Sequence, residues 1–307
     1  MLRYLLQRLA LGVAALLAVA TITFFMMHAV PGDPLARDRA INETIRANLA
    51  ERYGLDKPLM TQYRLYMQKM LLEGDFGVSF KQDNVTVNDI IMTHGWVSAV
   101  LVLVALGLAV IGGVVLGAVA GLNHNRWPDY LAMMVAVLGI STPSFVVAYL
   151  LQNLMAVQLH LLPVGGWDGP LSIVLPAVSL GLAVMASLAR ITRSSMLDVV
   201  RQDYVKTAKA KGLSRWQIMI RHQLRNAILP VVVYTGPYFA VLMTATFVVE
   251  SIFGVPGLGH FFVTSVSDLD YTVIMGLTVF YAGFAIIMAL VFDLIYSLVD
   301  PRIRLAK

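Results

Sequence analysis

A basic segment between two apolar stretches carries the side chains of this chain that are best suited to binding a partner. Nine Lys and Arg residues but only two acids, Asp198 and Asp203, lie between positions 190 and 229. The densest run reads Tyr204-Val-Lys-Thr-Ala-Lys-Ala-Lys-Gly212. Clustered cations of this kind attract acidic partners or anionic lipid headgroups. The chemistry of this segment is therefore electrostatic binding.

The rest of the chain lacks the motifs of a catalyst. No Gly is followed by Lys, so a GxxxxGK[ST] phosphate loop is excluded, and HExxH and GxSxG are also absent. There is no cysteine, and the six His residues lack metal-ligand spacing. We expect no catalytic residue, metal site or cofactor on this chain, and no substrate-binding residue is identifiable. Energy for uphill transport would come from an ion gradient or from another subunit.

The composition indicates an integral membrane protein. Hydrophobic residues make up 58% of the chain and charged residues 13%, which is about half the charged share of a typical soluble domain. The net charge of +5 does not indicate a nucleic-acid partner, because the basic residues lie in short loops beside apolar spans. The expected environment is the lipid bilayer.

Six apolar segments approach or exceed the roughly 20 residues that a membrane crossing needs. The first is too long for the apolar region of a signal peptide and has no convincing cleavage site after it, so we predict a retained span. The predicted spans are 9–30, 97–122, 131–154, 171–188, 228–249 and 273–299.

The distribution of Lys and Arg predicts the orientation. The loops at 155–170 and 250–272 contain neither residue, whereas the two termini, the turn at 123–130 and the basic segment hold fifteen of the 23. Positively charged loops stay in the cytoplasm, and long loops are translocated regardless of charge. Both termini and positions 190–229 are therefore predicted inside, and positions 31–96 outside.

This pattern predicts three parts: an N-terminal tail with the first span (1–30), an extracytoplasmic helical cap (31–96) and a core transmembrane domain (97–307) that contains the cytoplasmic basic segment. Helical spacing of apolar residues indicates two amphipathic helices in the cap. The cap either covers the span ends or docks an external partner. The two stripes are Ile41, Ile45, Leu49 and Tyr53, then Leu59, Tyr63, Tyr66, Met67 and Met70.

Small and helix-breaking residues within the spans predict how the helices pack. Gly113, Gly117 and Gly121 lie four apart, a spacing that lets helix backbones approach closely. Helix breaks are tolerated where neighbouring helices or water satisfy the freed backbone groups. Possible breaks lie at Thr142-Pro-Ser144, Pro176 and Gly236-Pro237.

One acid, Asp293, lies well inside a predicted span and close to the inner surface. A charge at that depth should face protein or water. Arg190 or Arg193 is positioned to pair with it, and we consider a structural Asp293–Arg190 ion pair alongside a gating or proton-coupling role.

The basic segment is predicted to form two short helices, at 199–211 and 216–227. Gly212 permits the turn between them, and Ser214 is a plausible N-cap for the second. Two interpretations remain open on these grounds. The element is either a rigid lever that a cytoplasmic partner moves or an amphipathic surface held by anionic lipid.

The segment YVKTAKAKG followed by RHQLRNAILP resembles the cytoplasmic coupling loop of ABC-importer permeases, in the dipeptide and oligopeptide branch. The resemblance runs nearly end to end and is greatest to the B-type subunit of oligopeptide systems. It also rests on Pro31-Gly-Asp-Pro34, Asp75-Phe-Gly-Val-Ser79, Arg190-Ile-Thr-Arg-Ser-Ser-Met196, Glu250-Ser-Ile-Phe-Gly-Val-Pro-Gly-Leu-Gly259 and Asp300-Pro-Arg-Ile-Arg304.

The chain departs from the general coupling motif of these importers. Lys206-Thr207-Ala208 stands in place of Glu-Ala-Ala, and His222 and Arg225 replace the later Ile and Pro, although Gly212 is in place. The peptide branch shares this variation, which restricts the transfer of single-residue roles to Ala208 and Gly212.

The resemblance implies an all-α protein with six transmembrane helices, the type I ABC-importer permease fold, in a bacterial cytoplasmic (inner) membrane. It implies a homologous second permease, two ATPase subunits that carry the ATP and Mg²⁺, and an extracytoplasmic peptide-binding protein. The cargo would be peptides, with nickel, glutathione or sugars as alternatives; a self-powered carrier or a scaffold is a different class. The residues that would contact the ATPase are Thr207, Ala208, Lys209, Ala210, Lys211, Gly212 and Leu213.

Overall fold

The computed structural model describes residues 2–31, 54–82 and 84–299, and for 2–5, 293 and 295–299 it describes the backbone alone. In these ranges the chain is helical, with a single β-bridge between Val78 and Thr86. The helices are α1 (Leu2–Ala29), α2 (Leu59–Gln68), α3 (Val87–Leu122), α4 (Trp127–Ser141), α5 (Ser144–Leu151), α6 (Pro170–Val200), α7 (Asp203–Ala210), α8 (Arg215–Ile218), α9 (Arg225–Ala227), α10 (Leu229–Phe253), α11 (Leu258–Asp268) and α12 (Tyr271–Val299).

In the described part of the chain, five helices are long and apolar enough to cross a membrane, and a sixth crossing is possible if α4 and α5 count as one span. The five are α1, α3, α6, α10 and α12. The predicted all-α membrane fold is therefore confirmed. Helices α6 and α10 continue through Pro176 and Pro237.

The predicted span at 131–154 is not a straight helix. Helix α4 ends at Ser141, and the axis of α5 with its π-helical extension Gln152–Gln158 turns by 107°. Thr142 is extended at φ −95° and ψ 123°, because a proline disfavours helical geometry in the residue before it. Pro143 also lacks the N–H that would continue the helix. The break at Thr142-Pro143 is one of the three possible breaks predicted from sequence, and the helix does not break at Pro176 or Pro237.

The helices form two compact units. The first comprises Met1–Ser98 with Pro256–Lys307, and the second comprises Ala99–Val255. In the first unit α12 packs along α1 and against α11; in the second, α6 packs against α4, α5 and α10. The predicted parts 1–30, 31–96 and 97–307 follow chain order and stay a prediction.

The second predicted cap helix is confirmed, whereas the first lies outside the described residues. Helix α2 begins after Pro58, and its π-helical continuation Lys69–Glu73 ends at Gly74, whose φ is +64°. The apolar stripe of α2 packs against side chains of α1 and α12, among them Phe24 and Tyr271. Burial raises the pKa of the Tyr66 phenol above its ordinary value. This packing favours the interpretation that the cap covers the span ends.

Candidate functional site

The segment from 203 to 227, called the coupling segment below, folds as a helical hairpin with its own small core. Val205, Ala208 and Ile218 are buried together, and Val199 at the end of α6 packs against them. Tyr204 of α7 accepts a hydrogen bond through Oη from Asn226 Nδ2 at 2.9 Å. The two halves of the hairpin are therefore held to each other and to the end of α6.

The turn of the hairpin depends on Gly212. Its φ is +74°, in the left-handed region that glycine adopts at little cost. The N–H of Gly212 donates to the Lys209 carbonyl at 3.0 Å, and the N–H of Leu213 donates to the Ala208 carbonyl at 3.3 Å. These bonds end α7 and turn the chain towards α8.

The second half of the hairpin begins with a capping box. The N–H of Gln217 donates to Ser214 Oγ at 3.3 Å, and the N–H of Ser214 donates to Gln217 Oε1 at 3.1 Å. These reciprocal bonds satisfy two N–H groups that would otherwise lack partners at the helix start. Ser214 is therefore the N-cap that the sequence predicted.

The bounds of the predicted helices differ from the structure. Helix α6 runs unbroken to Val200, and α7 begins at Asp203 after a short break, whereas the sequence predicted one helix at 199–211. The second half begins at Arg215 and includes a π-helical turn, Met219–Leu224. The span and the coupling segment are thus separated by only two residues.

Most of the predicted contact residues lie on the surface of the hairpin, but Ala208 does not. The side chain of Ala208 is only 4% exposed, and it packs against Val205 and Ile218. Its place is in the hairpin core, and it cannot offer its side chain to a partner in this conformation. The exposed members of the predicted set are Thr207, Lys209, Ala210, Lys211, Gly212 and Leu213.

Two aromatic residues add to this surface. Trp216 is 69% exposed and Tyr204 41% exposed. Aromatic side chains are enriched at protein interfaces, and a largely exposed indole on a hairpin that also exposes several cations is suited to a protein contact. Sequence reasoning missed Trp216 because its exposure depends on how the hairpin packs.

The predicted Asp293–Arg190 ion pair stays a prediction. The Arg190 side chain is exposed, and the side chain of Asp293 lies outside the described part. Arg193, the other candidate, pairs with Asp129 instead: Nε donates to Oδ1 at 2.6 Å and Nη2 to Oδ2 at 2.8 Å. This bidentate geometry fixes both groups.

The Asp129–Arg193 pair joins the first turn of α4 to α6, about two turns before α6 ends. Asp129 is only 2% exposed, and its Oδ2 also accepts the N–H of Asn125 at 3.0 Å. His124 Nδ1 lies 3.3 Å from Arg193 Nη2. Both oxygens of the Asp129 carboxylate thus accept hydrogen bonds, and these bonds offset the free-energy cost of removing the charge from water.

We expect Asp129→Asn to destabilise the protein by about 2–3 kcal/mol, because it removes a charged hydrogen-bond partner and leaves Arg193 half-satisfied. The apparent Tm of the purified protein measures this loss. Asp203→Asn is the matched control, since the Asp203–Lys206 pair is largely exposed and contributes little. Equal Tm values for the two variants would contradict the structural role of Asp129.

A second contact holds α6, and it is the one that the glycine spacing predicted. A Cβ on Gly113 would lie 2.7 Å from Leu188 Cβ, one on Gly117 would lie 2.5 Å from the Ala189 carbonyl oxygen, and one on Gly121 would lie 2.6 Å from Met196 Cβ. Helices α3 and α6 therefore approach almost to backbone contact. Helix α6, which leads into the coupling segment, is held on two sides.

Comparison with known proteins identifies the family. Residues 113–305 match the profile of the binding-protein-dependent transport system inner membrane component, and residues 1–95 match the N-terminal profile for this kind of membrane component. The chain belongs to this family. Named relatives match the permease along its whole length, which confirms the resemblance to ABC-importer permeases of the dipeptide and oligopeptide branch.

A dipeptide transport system permease protein of Bacillus subtilis is 46% identical over 307 residues, covering 100% of this permease and 99% of the relative. An oligopeptide transport system permease protein of Escherichia coli is 42% identical over 306 residues, covering 99% and 100%. A crystal structure of an amino acid ABC transporter is 18% identical with a TM-score of 0.51, covering 70% of this permease and 94% of that chain. The last supports the fold alone.

The permease is a multi-pass inner membrane protein, and its family is that of the membrane components of binding-protein-dependent transport systems. Among the described residues, no group of three or more His, Asp or Glu side chains could hold a metal ion. The candidate functional site is the coupling segment together with the helix contacts that support it.

Proposed function

We propose that this permease translocates peptides, and oligopeptides in particular, across the cytoplasmic membrane as one subunit of an ABC importer. The observation that carries the proposal is the full-length similarity to relatives named as dipeptide and oligopeptide permeases. Sequence similarity over both the cap and the core favours the same type of transporter and the same class of cargo. Both termini would lie in the cytoplasm, as the Lys and Arg distribution predicts.

The coupling segment is the proposed contact with a pair of ATPase subunits. Its exposed face combines Lys209, Lys211 and Leu213 with the indole of Trp216, a mixture suited to an apolar cleft with an acidic rim. ATP and Mg²⁺ would bind on those subunits. Because α6 enters the segment almost directly, a displacement of the hairpin would move α6 as a rigid rod.

The remaining partners follow from the same machine. A homologous second permease would pack against apolar helix faces, and the path for cargo would lie between the two subunits. An extracytoplasmic peptide-binding protein would deliver peptides to the face that carries the outer cap (31–96). Most of the selectivity for cargo would then lie in that binding protein.

Co-expression of the permease with its candidate partners tests this function. Stoichiometric recovery of ATPase subunits and a second permease, followed by ATP-dependent uptake of labelled peptides in proteoliposomes, is the expected result. An ATPase subunit with a Walker A lysine substitution is the control and should abolish uptake. Uptake by the permease alone, driven by an ion gradient, would identify a secondary carrier instead.

The exposed apolar side chains of the cap predict where the binding protein docks. Met60 is 65% exposed and Leu72 76% exposed, whereas Met70 between them in sequence is 7% exposed. We expect the double substitution Met60→Glu, Leu72→Glu to weaken docking about tenfold, as loss of two apolar contacts at an interface does. Surface plasmon resonance on the reconstituted importer measures this affinity.

The control for docking is Arg64→Gln, which lies on the same helix as Met60. This change neither removes an apolar side chain nor introduces a carboxylate. Unaltered docking by the double variant would leave the cap with a purely covering role.

A further inference from the structure

A cavity of about 260 Å³ opens between the cap and the ends of α1 and α12. All of its described lining residues belong to the first compact unit. Aromatic and apolar side chains form one part of its wall, and several of them are buried in the packing of the cap. The apolar wall is formed by Phe24, Tyr66, Phe76, Phe80, Tyr271 and Met275.

Positive charge exceeds negative charge around this cavity. Lys57 and Lys69 line it, and within the part of the chain that the structure describes neither makes an ion pair. The one described carboxylate in the lining belongs to Asp75, and its Oδ1 accepts the N–H of Gly77 at 2.8 Å. Among the described residues, the lining therefore carries two ammonium groups without an ion-pair partner and one carboxylate that accepts a backbone hydrogen bond.

His28 also lines the cavity. Its Nδ1 lies 2.8 Å from the Phe24 carbonyl oxygen, and its Nε2 lies 3.2 Å from Gln62 Oε1. The orientation of the Gln62 amide follows from its Nε2, which donates to the carbonyls of Leu55 and Lys57. The His28 ring is thus held by the backbone of its own helix and by the Gln62 amide.

From this arrangement we infer that the cavity binds the carboxyl-terminal residue of a peptide, with the carboxylate at Lys57 and Lys69 and an apolar or aromatic side chain against the wall. Its volume lies just below the roughly 300–1,000 Å³ of pockets for drug-sized ligands, which suits one terminal residue. The choice of a peptide rests on the proposed function. The binding chemistry does not require transport.

The charged groups of the lining also distinguish a free amino acid from the carboxyl terminus of a peptide. A free amino acid carries an α-ammonium group beside its carboxylate, and the net positive charge of the described lining, two lysines against Asp75, disfavours that group. A peptide has a neutral amide at that position. The cavity therefore favours a peptide terminus over a free amino acid.

Ligand-observed NMR on the full-length permease, purified with its co-expressed partner subunits and without ATP, tests the inference. The probe is N-acetyl-L-phenylalanine, and for its ~15 non-hydrogen atoms we expect a Kd on the order of 1 mM. Its C-terminal amide keeps the ring but lacks the carboxylate, so it should bind at least about tenfold more weakly. Free phenylalanine should also bind more weakly than the probe.

Variants locate the site. Lys57→Gln and Lys69→Gln should each weaken probe binding about fivefold, whereas Arg64→Gln, on α2 but outside the cavity lining, should leave it unchanged. An unchanged Tm confirms that the variants fold, which their exposed positions favour. Equal binding of acid and amide, binding insensitive to both lysine substitutions, or no binding at 10 Kd would overturn the inference. None of these outcomes bears on peptide uptake, which the reconstitution tests separately.

Discussion

The substitution Gly117→Leu is expected to destabilise the packing of the second compact unit. A Cβ at this position would lie 2.4 Å from Thr192 Cβ, 2.5 Å from the Ala189 carbonyl oxygen and 3.0 Å from the Arg193 backbone nitrogen. Two of these three atoms belong to the backbone of α6, so no side-chain rotation relieves the overlap. Helices α3 and α6 would have to separate, and Arg193 would be drawn away from Asp129.

Overpacking of this kind costs about 1–3 kcal/mol or more. At roughly 2–4 °C per kcal/mol, we expect the apparent Tm of the purified permease to fall by about 5–10 °C, together with a lower yield of monodisperse protein. Size-exclusion chromatography with a thermal ramp measures both quantities.

Gly107→Leu is the matched control for this experiment. It makes the same chemical change in the same helix, but a Cβ at Gly107 meets nothing within 4 Å. We expect a near-native Tm for this variant. If Gly117→Leu behaved like Gly107→Leu, the close approach of α3 and α6 would be wrong.

The substitution Gly212→Pro is expected to abolish ATP-driven uptake without preventing membrane insertion. Proline is restricted to φ near −65°, whereas Gly212 has φ +74°. Proline also removes the N–H that donates to the Lys209 carbonyl. The turn between α7 and Ser214 must then rearrange, and the exposed face of the coupling segment changes shape.

We expect uptake to fall by at least about tenfold while ATP hydrolysis by the partner subunits continues, which is the signature of uncoupling. Proteoliposome uptake and phosphate release, measured on the same preparation, give the two rates. Gly212→Asn is the control, because Asn tolerates the left-handed conformation better than other residues with a side chain. Normal peptide uptake by the proline variant would rule out a lever role for this turn.

Several structural features could be predicted from the sequence because their causes are local. Pro143 breaks the third apolar segment through its own ring and missing N–H, and Gly74 ends the cap helix through its left-handed conformation. Ser214 and Gln217 form their capping box within four residues. The helical spacing of the apolar residues between Leu59 and Met70 predicts the cap helix and the side of it that packs against α1 and α12.

Other features depend on residues that are distant in the chain. Asp129 and Arg193 are 64 positions apart. From the sequence alone, Arg193 could pair with Asp293 as readily as with Asp129. The inward direction of Ala208 depends on where Ile218 lies across the turn. Sequence pattern contains neither fact, because each requires the crossing of two helices to be known.

The sequence by itself determined the membrane class, the apolar spans, the absence of a phosphate loop and the basic coupling segment, because composition and local geometry decide these. The tertiary structure alone decided what that segment offers to a partner: Ala208 lies in its core, while Lys209, Lys211 and Trp216 lie on its surface. It also decided that α6 is held by the α3 glycines and by Asp129. Side-chain direction and pairing follow from packing between helices, and packing is a property of the folded chain.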